Sequence, residues 1–484
     1  MARGTPRRFA NFGRGLNTYD NVFNLADGSG KSGAEARDLL NVVSRSRGNV
    51  GKRDGCTTVI ARSGVKDFNV VDSDTSALAI YSTTAGKLYA LDEADTETEL
   101  ATGLSTSAPW TFLHLPTIGG QGPYLGMNGT DTPRYVAADL STGSWTASSG
   151  TLPNGTMMCY AGNRVWVADG DTVYWSEIGD PRTWPAENVT RFAPGDGIDI
   201  AGLVAFGNYV LVFKERDIWV IYNLDTSANR RLTDEVGTLS PRAIVPTDAG
   251  CFFLDPKRGV LVTDGQQVKE VGSQILPTFQ RISSGDAASV TAAYWNGHVY
   301  FAARLDGTTR YLLDYHVELG SWWLHSHQVR ALGVWDRGLG PQLIAAHPDT
   351  IARLFVPGES LDEDVVFRSY WSGPFHDFGS SLQKRCREVR LDGSGTADVL
   401  VLSDFNAGQG TLEDTLALTG TDSGLFGGDG DFGGDGTFGG GVTIGQDSLY
   451  SLGLGRVWSV TVGNETPDPW ELDAYTMFMT GRKD

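Results

Sequence analysis

Nowhere in this chain do apolar residues run uninterrupted for the ~18–20 positions that a bilayer-spanning helix needs. The opening MARGTPRRFANFGRG is charged but has no apolar core, so it does not read as a secretory signal. Both absences lead to the expectation of a soluble protein made in a cytoplasm. Cysteine is scarce: Cys56, Cys159, Cys251 and Cys386 stand far apart, without CxxC or Cys/His spacing. That argues against a zinc site and against a disulfide framework, and all four are expected as small buried hydrophobes. GxxxxGK[ST], GxSxG and HExxH are missing, and SxDxGxTW has only a distant echo in STGSWT at residues 141–146. The close pair His325 and His327 alternates on one strand and reads as an ordinary surface pair in preference to a metal pair. An acid pair for glycoside hydrolysis is a three-dimensional property, and the 58 carboxylates give no positive sign of one. No catalytic residue, cofactor or metal is therefore assigned, and the chain is expected not to be an enzyme.

What is present is glycine, 62 residues in 484, set with Pro, Asn, Asp, Ser and Thr in short clusters. That is the punctuation of many short strands. With 40% hydrophobic and 10% aromatic residues the chain can bury a large core in more than one domain. Between residues 77 and 356 a unit recurs: a Gly turn, an apolar run, a polar turn, a second run. Examples are GNRVWVADGDTVYWSEI, GNYVLVFKERDIWVIYNL and NGHVYFAARLDGTTRYLLDYH. Its opening glycines are Gly122, Gly162, Gly207, Gly250, Gly297 and Gly340, spaced by 40, 45, 43, 47 and 43 residues. A period of about 40–50 residues with about four short strands is that of a propeller blade. The fold expected is all-β: a propeller of about seven blades over residues 57–356, with tandem β-sandwiches as the alternative. Trp166, Trp175, Trp219, Trp295, Trp322, Trp323 and Trp335 are expected to pack between blades and not to form ligand platforms.

Residues 1–56 read as an N-terminal arm with one short helix, Ala34 to Val43, where Leu39, Leu40 and Val43 share a face. Such a segment persists by packing on another domain or subunit. Residues 357–484 read as a β-sandwich-like domain or sheet interrupted by a long loop, GLFGGDGDFGGDGTFGGG. There Phe426, Phe432 and Phe438 recur every six residues among Gly and Asp. Asp429, Asp431 and Asp435 suit a hard cation, but the nine-residue repeat of calcium-binding β-rolls is absent, so the loop is read as structural and free of metal.

Charge is uneven. Residues 1–56 hold ten Lys/Arg against five Asp/Glu, residues 57–356 hold 21 against 32, and residues 357–484 hold eight against 21, for a net −19. Gripping DNA takes clustered cations that release counterions from phosphates, so the two acidic segments are poor candidates for it. An acidic wall would instead let DNA pass without sticking.

Several phrases together resemble the tail nozzle, or tail hub, proteins of short-tailed bacteriophages. FGRGLNTYDNVFNLADGSGKSGAEARDLLNVVSRSRGNVGKRDGC is similar to their opening pattern of a GGLN phrase, an acidic stretch and a later KR.G phrase, with Arg14 here in place of the first glycine. NRVWVADGDTVYWSEIGDPRTW, YVLVFKERDIWVIY and the propeller exit RSYWSGPFHDFGSSLQKRCREVRLD are also similar to theirs. The resemblance implies a structural protein of the virion, in a ring, commonly a hexamer, that extends the DNA channel below the portal and adaptor. Such a ring contacts adaptor and other portal-proximal proteins and tail fibres or spikes, and retains the genome until ejection. DNA passes through without specific binding. The alternatives are another phage tail or receptor-binding propeller and a glycan-processing propeller enzyme.

On that reading the basic residues Arg3, Arg7, Arg8 and Arg14 are docking candidates toward a neighbouring subunit, since the rest of the assembly is acidic. Phe426, Asp429, Asp431, Phe432, Asp435 and Phe438 are candidates for a closure at the channel mouth. Glycine lets that loop change conformation at little steric cost, the rings cluster reversibly, and the carboxylates avoid phosphate. Replacing Phe426, Phe432 and Phe438 with Ser is expected to let genome leak from assembled particles while the isolated protein melts at nearly the same temperature. Particles that keep their DNA and eject it at the normal rate would show that the gate lies elsewhere.

Overall fold

The six glycines that mark the repeat, Gly122, Gly162, Gly207, Gly250, Gly297 and Gly340, all have positive φ, from +57° to +139°. Each sits at or just before the start of the second strand of a sheet, where a side chain would be strained. The repeat in the sequence thus marks the passage from first to second strand in six blades. The computed structural model describes residues 5–22, 24–28, 33–44, 48–72, 77–338, 340–403, 412–418 and 445–481. They form two compact units: residues 57–317 with 326–354, and residues 1–56 with 318–325 and 355–484.

The first of these units is a seven-bladed β-propeller. Its blades are small antiparallel sheets that follow one another along the chain, beginning with Asn69–Asp72, Ala77–Ser82, Leu88–Leu91 and Glu97–Ala101. The next five open with Thr111–His114, Met157–Ala161, Gly202–Phe206, Ile244–Thr247 and Thr291–Trp295. The seventh contains Ala331–Asp336, Pro341–Ala346 and Thr350–Arg353, and its fourth strand is Thr57–Ala61, from the start of the unit. Thr57–Ala61 lies antiparallel on Thr350–Arg353, with Ile60 opposite Ile351. The first strands of successive blades neighbour one another in a closed cycle, the last returning to Asn69–Asp72.

Between neighbouring blades lie the cores. Trp166 and Trp175, with ring centroids 5.1 Å apart, pack with Phe192, Val210 and Ile221 between the third and fourth blades. Phe213, Phe253 and Leu261 fill the next gap. Phe68, Tyr81, Trp335 and Ile351 join the first blade to the seventh, with Val59 and Ile60 packed against them. Of the seven tryptophans expected to pack between blades, Trp166, Trp175 and Trp335 are buried in these cores and Trp219 packs against one; Trp322 and Trp323 are buried but belong to the other unit, and Trp295 is half-buried, donating through Nε1 to the Pro341 carbonyl at 2.7 Å. All four cysteines are buried and free.

The second unit is built on one ten-stranded sheet. Its axis is the 20-residue strand Lys384–Ser403. The first half of that strand pairs with Gly445–Gly455 on one edge and Trp470–Gly481 on the other; its second half pairs with Leu412–Leu418 and Trp458–Asn464. The halves meet at Gly393-Ser394-Gly395, where Gly395 has φ +85° and a Cβ would lie 2.1 Å from the Pro469 carbonyl.

The expected helix over residues 34–43 is corrected by this sheet. Ala34 and Ala36 make isolated bridges, Asp38–Leu40 pairs with Tyr370–Ser372, and Val42–Ser44 pairs with Val50–Lys52. Asn41, between the two strands, has φ +54°, which no right-handed helix accommodates. Leu39 and Val42 are both fully buried, so a three-residue spacing that mimics a helix face comes from two strands joined by a left-handed residue. Thr5–Ala10 likewise pairs with the final strand, Phe9 opposite Tyr475. The N-terminal segment is therefore held by strands of its own chain. Residues 318–325 belong here too: the carbonyls of Trp322 and Leu324 accept from the backbone N–H of Leu16 and Asn41.

Removing the γ and δ carbons of Ile351 leaves a hole where the seventh blade's closing strand meets the first blade. Ile351→Ala should lower the propeller's unfolding free energy by about 2–5 kcal/mol in urea titrations followed by tryptophan fluorescence. A loss below about 1 kcal/mol would show that closure does not depend on this contact.

Candidate functional site

In the sheet unit, Thr5–Ala10 and the segment before Lys384 flank a cleft of about 450 Å³ lined by Arg7, Asp27, His376, Asp377, Phe378 and Arg456, among others. Arg7 stands over the Phe378 ring at 5.9 Å. At the cleft's base His376 is buried, held by reciprocal backbone bonds with Trp458 and stacked on Phe9 with centroids 4.3 Å apart. Its Nε2 lies 3.2 Å from the Tyr475 hydroxyl and its Nδ1 lies 3.8 Å from an Asp27 carboxylate oxygen. Burial pushes the imidazole down to about 4; Asp27 and Asp377 oppose the shift and Arg7 adds to it. Burial also drives the Tyr475 hydroxyl far above its ordinary range. His376 is therefore neutral near pH 7, with both ring nitrogens turned to groups of its own unit. The cleft thus brings cations and carboxylates together.

The docking candidates reach different ends. Arg7 lines this cleft, Arg8 lies 3.7 Å from Asp392, and Arg14 lies 3.8 Å from Glu35. Arg8 and Arg14 keep more than half of their side-chain surface exposed. Arg3 lies outside the described residues, as do Phe426, Asp429, Asp431, Phe432, Asp435 and Phe438. The reading of His325 and His327 as a surface pair is corrected. Both are buried: the strand Ser321–His325 ends at His325, and each imidazole packs on an aromatic ring instead of facing water. His325 meets Phe355 edge-on, and His327 stacks on His347 with centroids 5.7 Å apart.

Sequence reasoning missed a deeply buried charge of this unit. Arg53 is 2% exposed and donates through Nη1 and Nη2 to Asp362 at 2.8 and 2.5 Å, through Nε to Asn41, and stacks over Phe367 at 4.0 Å. Its neighbour Lys52 donates to the Thr466 carbonyl at 2.6 Å. The phrase GKRDG is thus a structural clamp, whose last glycine, Gly55, would put a Cβ 1.9 Å from the Leu361 carbonyl.

In the propeller the axis is not open. Arg242, just before the fifth blade's first strand, donates to the Lys66 carbonyl at 2.5 Å, just before the first blade. Lys66 in turn donates to the carbonyls of Ser105 and Ala108. The first and fifth blades are not neighbours in the cycle, so a single guanidinium spans the axis at this end.

No known protein family matches the sequence, and no curated protein does. Among solved structures the chain is similar to BamB from Moraxella catarrhalis, at 14% identity and TM-score 0.37 over 67% of this chain and 98% of that one. It is similar also to PorZ, a surface component of the type-IX secretion system of Porphyromonas gingivalis, at 12% identity and TM-score 0.37 over 66% of this chain and 42% of that one. A third is the BBS1 N-terminal portion solved with ARL6, at 10% identity and TM-score 0.44 over 63% of this chain and 98% of that one. None of the three is described as a phage protein.

His376 sets a pH dependence. Unfolded, the imidazole protonates near pH 6.5; folded, only near 4, so proton uptake in that window favours the unfolded chain. The contribution is fully present above pH 6.5 and is lost as pH falls toward 4, by about 3 kcal/mol in all. Unfolding free energy measured in urea from pH 7 to pH 5 should fall more steeply for the wild type than for His376→Gln; parallel profiles would show that the buried ring protonates as readily as a free one.

Proposed function

We propose that this chain is a structural protein of a phage tail, several copies of which form a ring that extends the DNA channel below the portal and adaptor and holds the genome until ejection. The observation that carries the reading is where the resembling phrases lie. The opening phrase and the propeller-exit phrase, more than 300 residues apart, are strands of one sheet: Asp38–Leu40 pairs with Tyr370–Ser372, and Arg37 donates to the Gly373 carbonyl. Within the opening phrase, Gly15 has φ +66° and would place a Cβ 2.3 Å from the Trp322 carbonyl, while Asn17 accepts from the backbone N–H of Tyr19 and Asp20. These residues shape a surface-building unit, and no step of chemistry needs them.

Two further facts favour a ring over a single working copy. The propeller axis is crossed by Arg242 and cannot pass a duplex, so a DNA channel has to be enclosed between copies. From residue 57 onward 53 acidic residues face 29 basic ones, which keeps phosphate from adhering to such a wall. Arg7 in its cleft and the exposed Arg8 and Arg14 are then the attachment points toward acidic neighbours, and the chain carries no catalytic role. No helix among the described residues is long and apolar enough to cross a membrane.

The test is assembly. Mass photometry of the purified chain, alone and with its adaptor ring, should show a closed oligomer in at least one condition, six copies being the expected number; a strict monomer in both would overturn the reading.

A further inference from the structure

One end of the propeller axis concentrates positive charge in a chain of net charge −19. Arg304 and Arg310 stand directly opposite each other across the hairpin His298–Leu305 and Thr309–His316. Like charges in that position repel, and a sheet keeps them only where something compensates. Arg310 donates to the Val329 carbonyl at 3.4 Å and to the Ser289 hydroxyl at 3.3 Å, which sets it beside Arg330. Ser240, two residues before Arg242, donates to the Val290 carbonyl at 2.7 Å and ties Arg242 to the same segment. Arg242, Ser289 and Arg330 all precede the first strand of their blade, so they gather at one end of the ring.

Compensation within the protein is thin. Asp286 lies 3.4 Å from Arg304 but also accepts from the Ser283 hydroxyl at 2.6 Å. Asp67 is fully buried and already accepts from the Ser82 and Trp110 backbone N–H groups and the Ser82 hydroxyl. Arg281 and Asp306, at the hairpin's tip, pair with each other at 2.6 Å. The Nε–H groups of Arg242 and Arg304 are closed to solvent and have no hydrogen-bond partner. A buried donor left so costs about 1–3 kcal/mol, more when charged, so the fold leaves part of this positive charge unsatisfied. Burial and the neighbouring Arg304, Arg330 and Arg242 all lower the proton affinity of Arg310, with Asp286 opposing.

We propose that this end of the propeller axis is a binding site for a compact phosphate-type polyanion, held by Arg242, Arg304, Arg310 and Arg330. Planar guanidiniums present paired donors that match tetrahedral oxyanions. Arg242 also donates to the Lys66 carbonyl of a blade that is not its neighbour, so the cluster sits where the first strands converge. The site belongs to the propeller alone.

Calorimetric titration of the full chain at low ionic strength, with inorganic phosphate and with pyrophosphate, tests it. Saturable binding of both is expected, pyrophosphate the tighter. Arg310→Gln should weaken pyrophosphate by about tenfold or more, the loss of one charge-assisted contact, yet melt no lower than the wild type without anion because a repulsion is removed. Arg330→Gln, at an exposed position that folding does not need, should weaken binding in the same direction. Absence of saturable heat at about 10 mM of either anion, or variants that bind as the wild type does, would overturn the site. So would an oligothymidylate that binds more tightly than pyrophosphate, since the site would then read a nucleic-acid backbone.

Discussion

The strand Thr57–Ala61, laid on Thr350–Arg353, joins the beginning and end of the propeller in one sheet. An open row of blades would expose apolar faces on its first and last members, and each blade alone is too small to bury a core. Pairing Ile60 with Ile351 brings Trp335 of the last blade against Phe68 and Tyr81 of the first, so the two end faces cover each other. This closure also fixes the axis. Once the first strands stand in a cycle, the residues just before them converge, and Arg242 reaches the Lys66 carbonyl although the two are far apart in sequence.

The periodic part of this architecture was legible because one physical requirement writes itself repeatedly into the chain. A two-residue turn with positive φ favours Gly and Asn, in the order Gly162-Asn163 in one blade and Asn296-Gly297 in another, and the spacing of such glycines follows the spacing of blades. The sheet unit was less legible. Its sheet takes strands from both ends of the chain, Asp38–Leu40 on Tyr370–Ser372 and Thr5–Ala10 on the final strand, and pairing over more than 300 residues leaves no local period. Leu39 and Val42 illustrate the cost: their spacing fits a helix face, and only Asn41 in a left-handed conformation and distant pairing partners make them two strands.

Of the site residues, those proposed from charge alone were placed but not explained by sequence, since Arg7, Arg8 and Arg14 each meet a different group of the folded unit. The arginine cluster was partly readable. In RLDGTTR the Asp306-Gly307 turn sets Arg304 opposite Arg310, and a cross-strand like-charge pair is visible before any fold is known. Arg242 and Arg330 were not, because the blade order that brings them near is a property of the closed ring.

The two units handle buried charge in opposite ways, and the contrast bears on what each is for. Arg53 is matched: Asp362 takes its fork, Asn41 takes Nε, and Phe367 covers its face. Removing either partner would leave a buried charge uncompensated, a loss of about 3–5 kcal/mol, so the clamp holds the sheet in one arrangement. At the propeller axis the balance is left unfinished, with arginines outnumbering the carboxylates that face them and two Nε–H groups unsatisfied. A fold that satisfies Arg53 completely can satisfy charge where stability alone is at stake. Retaining opposed arginines in a predominantly acidic chain is therefore better understood as readiness for an anion than as a flaw in packing.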